Sequence, residues 1–145
     1  MKGIKVIYSF FFLLVFSVQL SSAGNKNFHF RKIQVDEGLS ENTVYCILQD
    51  SKGFMWFGTK DGLNRYDGSN FRVFRHSVLN PSSLGNNFIR SIAEGSESVL
   101  YIGTDIGLYI MDTVHETFTL VTLETLEGKR LTTAVNTLFM DRDGQ

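Results

Sequence analysis

Cysteine is all but missing from this chain: Cys46 is the single one in 145 residues. That excludes an intrachain disulfide framework and a cysteine-cluster zinc site. Proline also occurs once, and charged residues make up only 20% against 43% apolar ones. A disordered, proline-rich or strongly charged chain is thereby excluded. Neither sign of charge prevails, with 14 basic and 15 acidic residues and a net charge of −1. Nothing electrostatic points to contact with nucleic acid. Histidine is sparse too. His29, His76 and His115 are scattered, without metal-ligand spacing and without a nucleophile beside them. The acidic pair Asp36-Glu37 has no visible partner for glycosidic acid–base chemistry. No catalytic residue, metal ligand or cofactor site is read from the chain, and it is expected to be non-enzymatic.

What is present starts with an apolar run from Val6 to Val18, preceded by Lys2 and Lys5 and followed by Ser21, Ser22 and Ala23. A basic start, a short apolar stretch and small residues at Ser21 and Ala23 form the pattern of a secretory signal. The run is short for a spanning helix, which needs about 20 apolar residues. Residues 1–23 are therefore expected to be a cleaved signal peptide, with an uncleaved anchor and a buried core helix as the alternatives. Cys46 lies within Val44-Tyr45-Cys46-Ile47-Leu48 and reads as a packed small hydrophobe.

The remainder repeats itself at a shift of 45 residues. Leu39, Asn42, Ile47, Ser51, Gly58, Thr59, Gly62, Leu63 and Asp67 each meet an identical residue, nine in the thirty positions from 38 to 67. Unrelated segments would share about two at ordinary residue frequencies. A third copy opens at Val135-Asn136-Thr137-Leu138, with Asp141 and Gly144 in place of Asp50 and Gly53. The chain stops at Gln145, so it reads as cut inside a repeat.

Each repeat predicts four short strands, at 43–49, 54–59, 63–66 and 71–75, and then at 88–93, 99–104, 108–111 and 117–121. The turns between them are marked by Asp50-Ser51-Lys52-Gly53, Asp61-Gly62 and Asp67-Gly68. Four antiparallel strands per 45 residues is the arithmetic of a β-propeller blade. A small β-sandwich, the rival, would alternate apolar and polar residues instead. Phe54-Met55-Trp56-Phe57 and Val99-Leu100-Tyr101-Ile102 run apolar without a break. The expected fold is all-β and incomplete, about two and a half blades. Its parts are a signal peptide at 1–23, a lead-in with one strand (28–35) at 24–42, blades at 43–87 and 88–134, and the start of a third at 135–145.

The string from Asp36 to Tyr45, followed by Gln49-Asp50-Ser51-Lys52-Gly53-Phe54-Met55-Trp56-Phe57-Gly58-Thr59-Lys60-Asp61-Gly62-Leu63, resembles the two-component regulator propeller family. The likeness covers nearly all the chain after residue 23. Its structural motif falls on Asp50, Gly53, Trp56, Gly58, Thr59, Gly62 and Leu63, and on Tyr101, Gly103, Thr104, Gly107 and Leu108 in the second copy. That copy departs from the pattern at Gly95, Ser98 and Tyr101, which leaves the geometry of its first turn open.

The resemblance implies the periplasmic or extracellular sensor region of a hybrid histidine kinase held in the inner membrane. Its implied partners are an oligosaccharide and the remaining blades, with homodimerisation of the full-length parent also open. The chain itself has no phosphorylatable His box and no nucleotide-binding glycine motif. A propeller glycosidase or lyase, or a structural adhesion propeller, is the alternative.

Trp56 reads as a core residue rather than a sugar platform. The Asp141-Arg142-Asp143-Gly144 stretch reads as a turn, since it lacks the distal ligands of a calcium loop. The ligand-binding candidates are Asp61, Asn86, Asn87 and Asp105, polar residues in loops expected at one rim. Each is equally a turn former.

Overall fold

The computed structural model describes residues 30–96 and 98–141. The signal-peptide segment and Arg142 to Gln145 lie outside the described residues. The elements below belong to one compact unit that begins at Lys32.

Two four-stranded antiparallel sheets follow one another in the chain. The first holds β1 (Val44–Gln49), β2 (Met55–Thr59), β3 (Gly62–Tyr66) and β4 (Phe71–Phe74). The second holds β5 (Ile89–Glu94), β6 (Val99–Thr104), β7 (Gly107–Asp112) and β8 (Thr117–Leu120). Each sheet pairs its strands in chain order, as a blade does. The register repeats as well: Gly58 faces Leu63 and Gly103 faces Leu108. Both first strands also carry an irregularity at the same place, between Val44 and Cys46 and between Ile89 and Ser91.

The core lies between the two blades. Trp56, Leu63 and Phe74 of the first meet Ile89, Leu100, Ile102, Tyr109, Met111 and Phe118 of the second. Neither sheet could bury both of its faces alone, so stacking supplies the hydrophobic stabilisation. Glu116, in the β7–β8 turn at φ 55°, reaches across to pair with Arg65 at 3.3 Å and with Arg72.

The turns show why the repeat motif has its spacing. Asp50 Oδ1 accepts the Lys52 and Phe54 amides at 3.0 and 2.9 Å, and Oδ2 accepts the Trp56 indole N–H at 2.8 Å. One buried carboxylate thus ties the first turn to the core. Thr59 Oγ1 accepts the Asp61 amide and donates to the Gly62 carbonyl, both at 3.0 Å. Thr104 does the same with Ile106 and Gly107. The first turn of the second repeat keeps its shape despite its sequence. Gly95 N–H bonds Val99 O as Asp50 N–H bonds Phe54 O, and Ser98 takes φ 74° where Gly53 takes 89°. A non-glycine residue there costs of order 1 kcal/mol.

Two expectations are corrected. The lead-in strand at 28–35 does not form in its described part: residues 30–34 are irregular and a 3-10 turn occupies Val35–Glu37. Gln34 and Glu37 close a reciprocal capping box and Gly38 ends the turn at φ 110°. That local bonding satisfies the backbone where no neighbouring strand pairs with it. The opening strand of the third repeat does not form in its described part either, since 132–141 has no regular structure. A short hairpin, β9 (Leu123–Glu124) with β10 (Arg130–Leu131), precedes it and was not expected. Val135 nevertheless takes a place on the second blade, its N–H bonding Thr104 O at 2.9 Å and its carbonyl accepting the Ser91 hydroxyl at 2.9 Å.

Cys46 sits opposite Gly58 in the β1–β2 ladder. Burial pushes its thiol up from 9.0 to about 11, partly offset by a backbone hydrogen bond from Gly58. The unfolded thiol ionises first as pH rises, so the unfolded state then holds fewer protons. Stability should therefore fall as pH climbs from 9.0 towards about 11. Iodoacetamide at pH 8 is expected to label the native thiol far more slowly than the urea-unfolded one, and equal rates would contradict its burial.

Candidate functional site

The β2–β3 turn, the β6–β7 turn and the loop at 75–88 that joins the blades meet at one end of the sheets. Gly62 N–H bonds Asn87 O at 2.9 Å, which fixes the loop to the first of these turns. All four sequence candidates lie here, and each is held by a neighbour. Asp61 pairs with Arg75, Oδ2 to Nη2 at 2.8 Å. Asp105 pairs with Arg90. Asn86 Oδ1 accepts the Phe88 amide at 2.9 Å, and Asn87 Oδ1 accepts the His76 amide at 2.7 Å. These polar groups shape the loops, as the turn-forming alternative requires.

Between them stands an aromatic and cationic cluster that the sequence reading missed. Phe88 meets the Tyr45 ring at 4.7 Å, edge on. The Arg90 guanidinium lies 4.3 Å from the Phe88 centroid and the Lys60 ammonium 5.4 Å from it. Tyr45 and Arg90 are equivalent residues of the two repeats, and both occupy the strand irregularity. Such bulges re-aim a side chain, so two repeat-related residues converge on one ring. The signal for them was there in the 45-residue alignment, but nothing in it marked the bulge.

Charge at the opposite end of the blades is dominated by local turns. Backbone amides of Asn70 and Ser69 hold the Asp67 carboxyl below its ordinary value. Asp112, its repeat equivalent, is held at about 2 by hydrogen bonds from the His115 amide and ring and the Val114 amide. Asp67 is exposed and Asp112 partly so, and each serves its own turn. Among the described residues, no group of three His, Cys, Asp or Glu side chains is placed to hold a metal ion. Trp56 is fully buried and offers no ring face for stacking.

Comparison with known proteins follows these repeats. A family model for the two component regulator propeller matches residues 38–61, the stretch that carries the Asp50 turn, Trp56 and the Thr59 clasp. A histidine kinase of Formosa agariphila is 40% identical over 77 residues, which is 48% of this chain and 6% of that protein. The extracellular domain of a hybrid two component system from B. thetaiotaomicron superposes over 79% of this chain, with a TM-score of 0.69 and 26% identity. The extracellular domain of a one component system from the same organism covers 74% of it, with a TM-score of 0.57 and 23% identity, and shares the fold. The chain spans 16% and 14% of those two domains. Residues 38–61 thus match the two component regulator propeller, and the two blades are built like part of the extracellular domain of a hybrid two component system.

Proposed function

We propose that this chain is part of an extracytoplasmic sensor that binds an oligosaccharide and signals inward to a histidine kinase core. Residues 1–23 then serve as its export signal, and residues 43–87, 88–134 and 135–145 as successive units of a propeller. The observation that carries the reading is the 77-residue stretch 40% identical to a histidine kinase. The blades support it in a second way. Their conspicuous residues serve turns and stacking, as a recognition scaffold needs, and the polar loops gather at one end.

A chimera tests the reading. The two blades of this chain replace the matching stretch of the Formosa agariphila kinase, and autophosphorylation is followed in membrane vesicles against a panel of oligosaccharides. At least one oligosaccharide is expected to change the phosphorylation level several-fold. A level that no oligosaccharide alters, in a chimera that still autophosphorylates, would overturn the sensor assignment.

A further inference from the structure

The two blades differ most at a place where the first is closed and the second is open. In the first, Asn64 is fully buried and tied to Ser40: its Oδ1 accepts the Ser40 amide at 2.9 Å and its Nδ2 donates to the Ser40 hydroxyl at 2.8 Å. The same two positions in the second repeat hold Tyr109 and Gly85. A Cβ at Gly85 would lie 2.0 Å from the Tyr109 hydroxyl, so only glycine admits the phenol there. Tyr109 is 6% exposed, and its hydroxyl, which has no hydrogen-bond partner among the described residues, is the part that reaches the surface. Burial raises its pKa, which keeps it a neutral donor.

That hydroxyl borders a pocket of about 280 Å³ between the loop at 75–88 and the β7–β8 strands. Hydrogen bonds tie this loop to itself and to the second blade. Ser83 Oγ accepts the Ser77 amide at 2.9 Å and donates to the Ser77 carbonyl at 3.1 Å, and Phe118 N–H bonds Ser82 O at 2.8 Å. His76 Nδ1 lies 2.8 Å from the Leu84 carbonyl, which can only accept, so Nδ1 carries the proton. The Nε2 of a neutral ring is then left as an acceptor. Pro81, Phe118 and Leu120 supply apolar surface, and no Lys, Arg, Asp or Glu lines the space.

We infer that this inter-blade pocket is a binding site for one neutral, hydroxyl-bearing ring of monosaccharide size. A hydroxyl that opens on the pocket without a partner in the described protein is available to an acceptor from outside. Hydroxyl, imidazole and amide groups beside apolar side chains match a ring with polar edges and a C–H face. The lining holds no counter-charge for an acidic or amino sugar, which favours a neutral one. The volume lies just below the usual range of ligand pockets and gives room for one ring inside it. The inference deepens the sensor reading and rests on it for the class of ligand.

Saturation-transfer NMR on the full chain provides the test. The probes are D-glucose, D-galactose, D-mannose and D-xylose, with D-glucuronate and D-glucosamine as charged counterparts. At least one neutral sugar should bind more tightly than both charged ones. Tyr109→Phe removes no bond within the described protein, so it should leave the melting temperature unchanged and weaken binding about tenfold. Ser77→Ala removes a second pocket hydroxyl that has no partner among the described residues, and it decides the matter should Tyr109→Phe fail to fold. Neutral-sugar binding that survives both substitutions would overturn the pocket and leave the sensor reading standing. Silence from every probe would overturn the pocket, while the chimera would still report on the sensor.

Discussion

Trp56→Ala is expected to destabilise the blade pair by about 3–5 kcal/mol, the usual cost of removing a large ring from a packed core. Trp56 is fully buried at the interface of the two sheets, stacked on Phe74 with 6.0 Å between centroids. The Arg65 guanidinium lies 5.8 Å from its ring, and Arg65 is itself held by Glu116 of the next blade. Removing the indole therefore loosens both the first blade and its contact with the second. A milder variant separates packing from hydrogen bonding. Trp56→Phe keeps most of the ring but strands Asp50 Oδ2, which should cost about 1–3 kcal/mol for an unsatisfied buried carboxylate oxygen.

The second repeat has already made the paired change. Gly95 and Tyr101 stand where Asp50 and Trp56 stand, and a Cβ at 95 would lie 2.7 Å from Tyr101 Cε2. Copying it with Asp50→Gly and Trp56→Tyr together should therefore cost less than the two single changes added. Urea midpoints of the four proteins measure the coupling. Strict additivity would show that the carboxylate and the indole act independently. A melting temperature unmoved by Trp56→Ala would contradict the buried placement altogether.

This pairing also shows what was legible in the sequence and what was not. The strands could be read because turn chemistry is local: Asp50, Gly53, Asp61-Gly62 and Asp67-Gly68 each act within a few residues. The blade could be read because the 45-residue shift aligns residues with the same structural duty, such as Thr59 and Thr104. Non-local substitutions were harder. That Asp50 and Trp56 change together, and that Ser40-Asn64 gives way to Gly85-Tyr109, becomes meaningful only when distance in space is known. The Tyr45, Phe88 and Arg90 cluster was hidden for a related reason. A bulge turns a side chain out of the alternation that sequence patterns assume. The strand read at 28–35 failed in its described part because strand propensity does not supply a pairing partner.

Gly58→Ala should separate the blades by wedging a tight contact between them. A Cβ there would lie 2.4 Å from Cys46 Sγ and 2.7 and 3.0 Å from Ile89 Cγ2 and Cβ, closer than packed carbons come. Cys46 is the cross-strand neighbour and Ile89 opens the first strand of the next blade, so the added methyl meets a wall on each side. Overpacking of this kind typically costs about 1–3 kcal/mol. The arrangement recurs one blade on. A Cβ at Gly103 would lie 2.2 Å from Ser91 Oγ and 2.5 Å from the Val135 carbonyl oxygen. Ser91 and Val135 are the repeat equivalents of Cys46 and Ile89. The glycine of each Gly-Thr pair is therefore a stacking position, and the threonine a turn clasp. Adding Cys46→Ala to Gly58→Ala removes the nearer obstacle and should restore only part of the stability, the remainder belonging to Ile89. The thiol supplies an independent readout in the single variant. If the blades splay, iodoacetamide should label Cys46 faster in Gly58→Ala than in the parent under native conditions. An unchanged labelling rate together with an unchanged urea midpoint would mean that the second blade does not rest on Gly58.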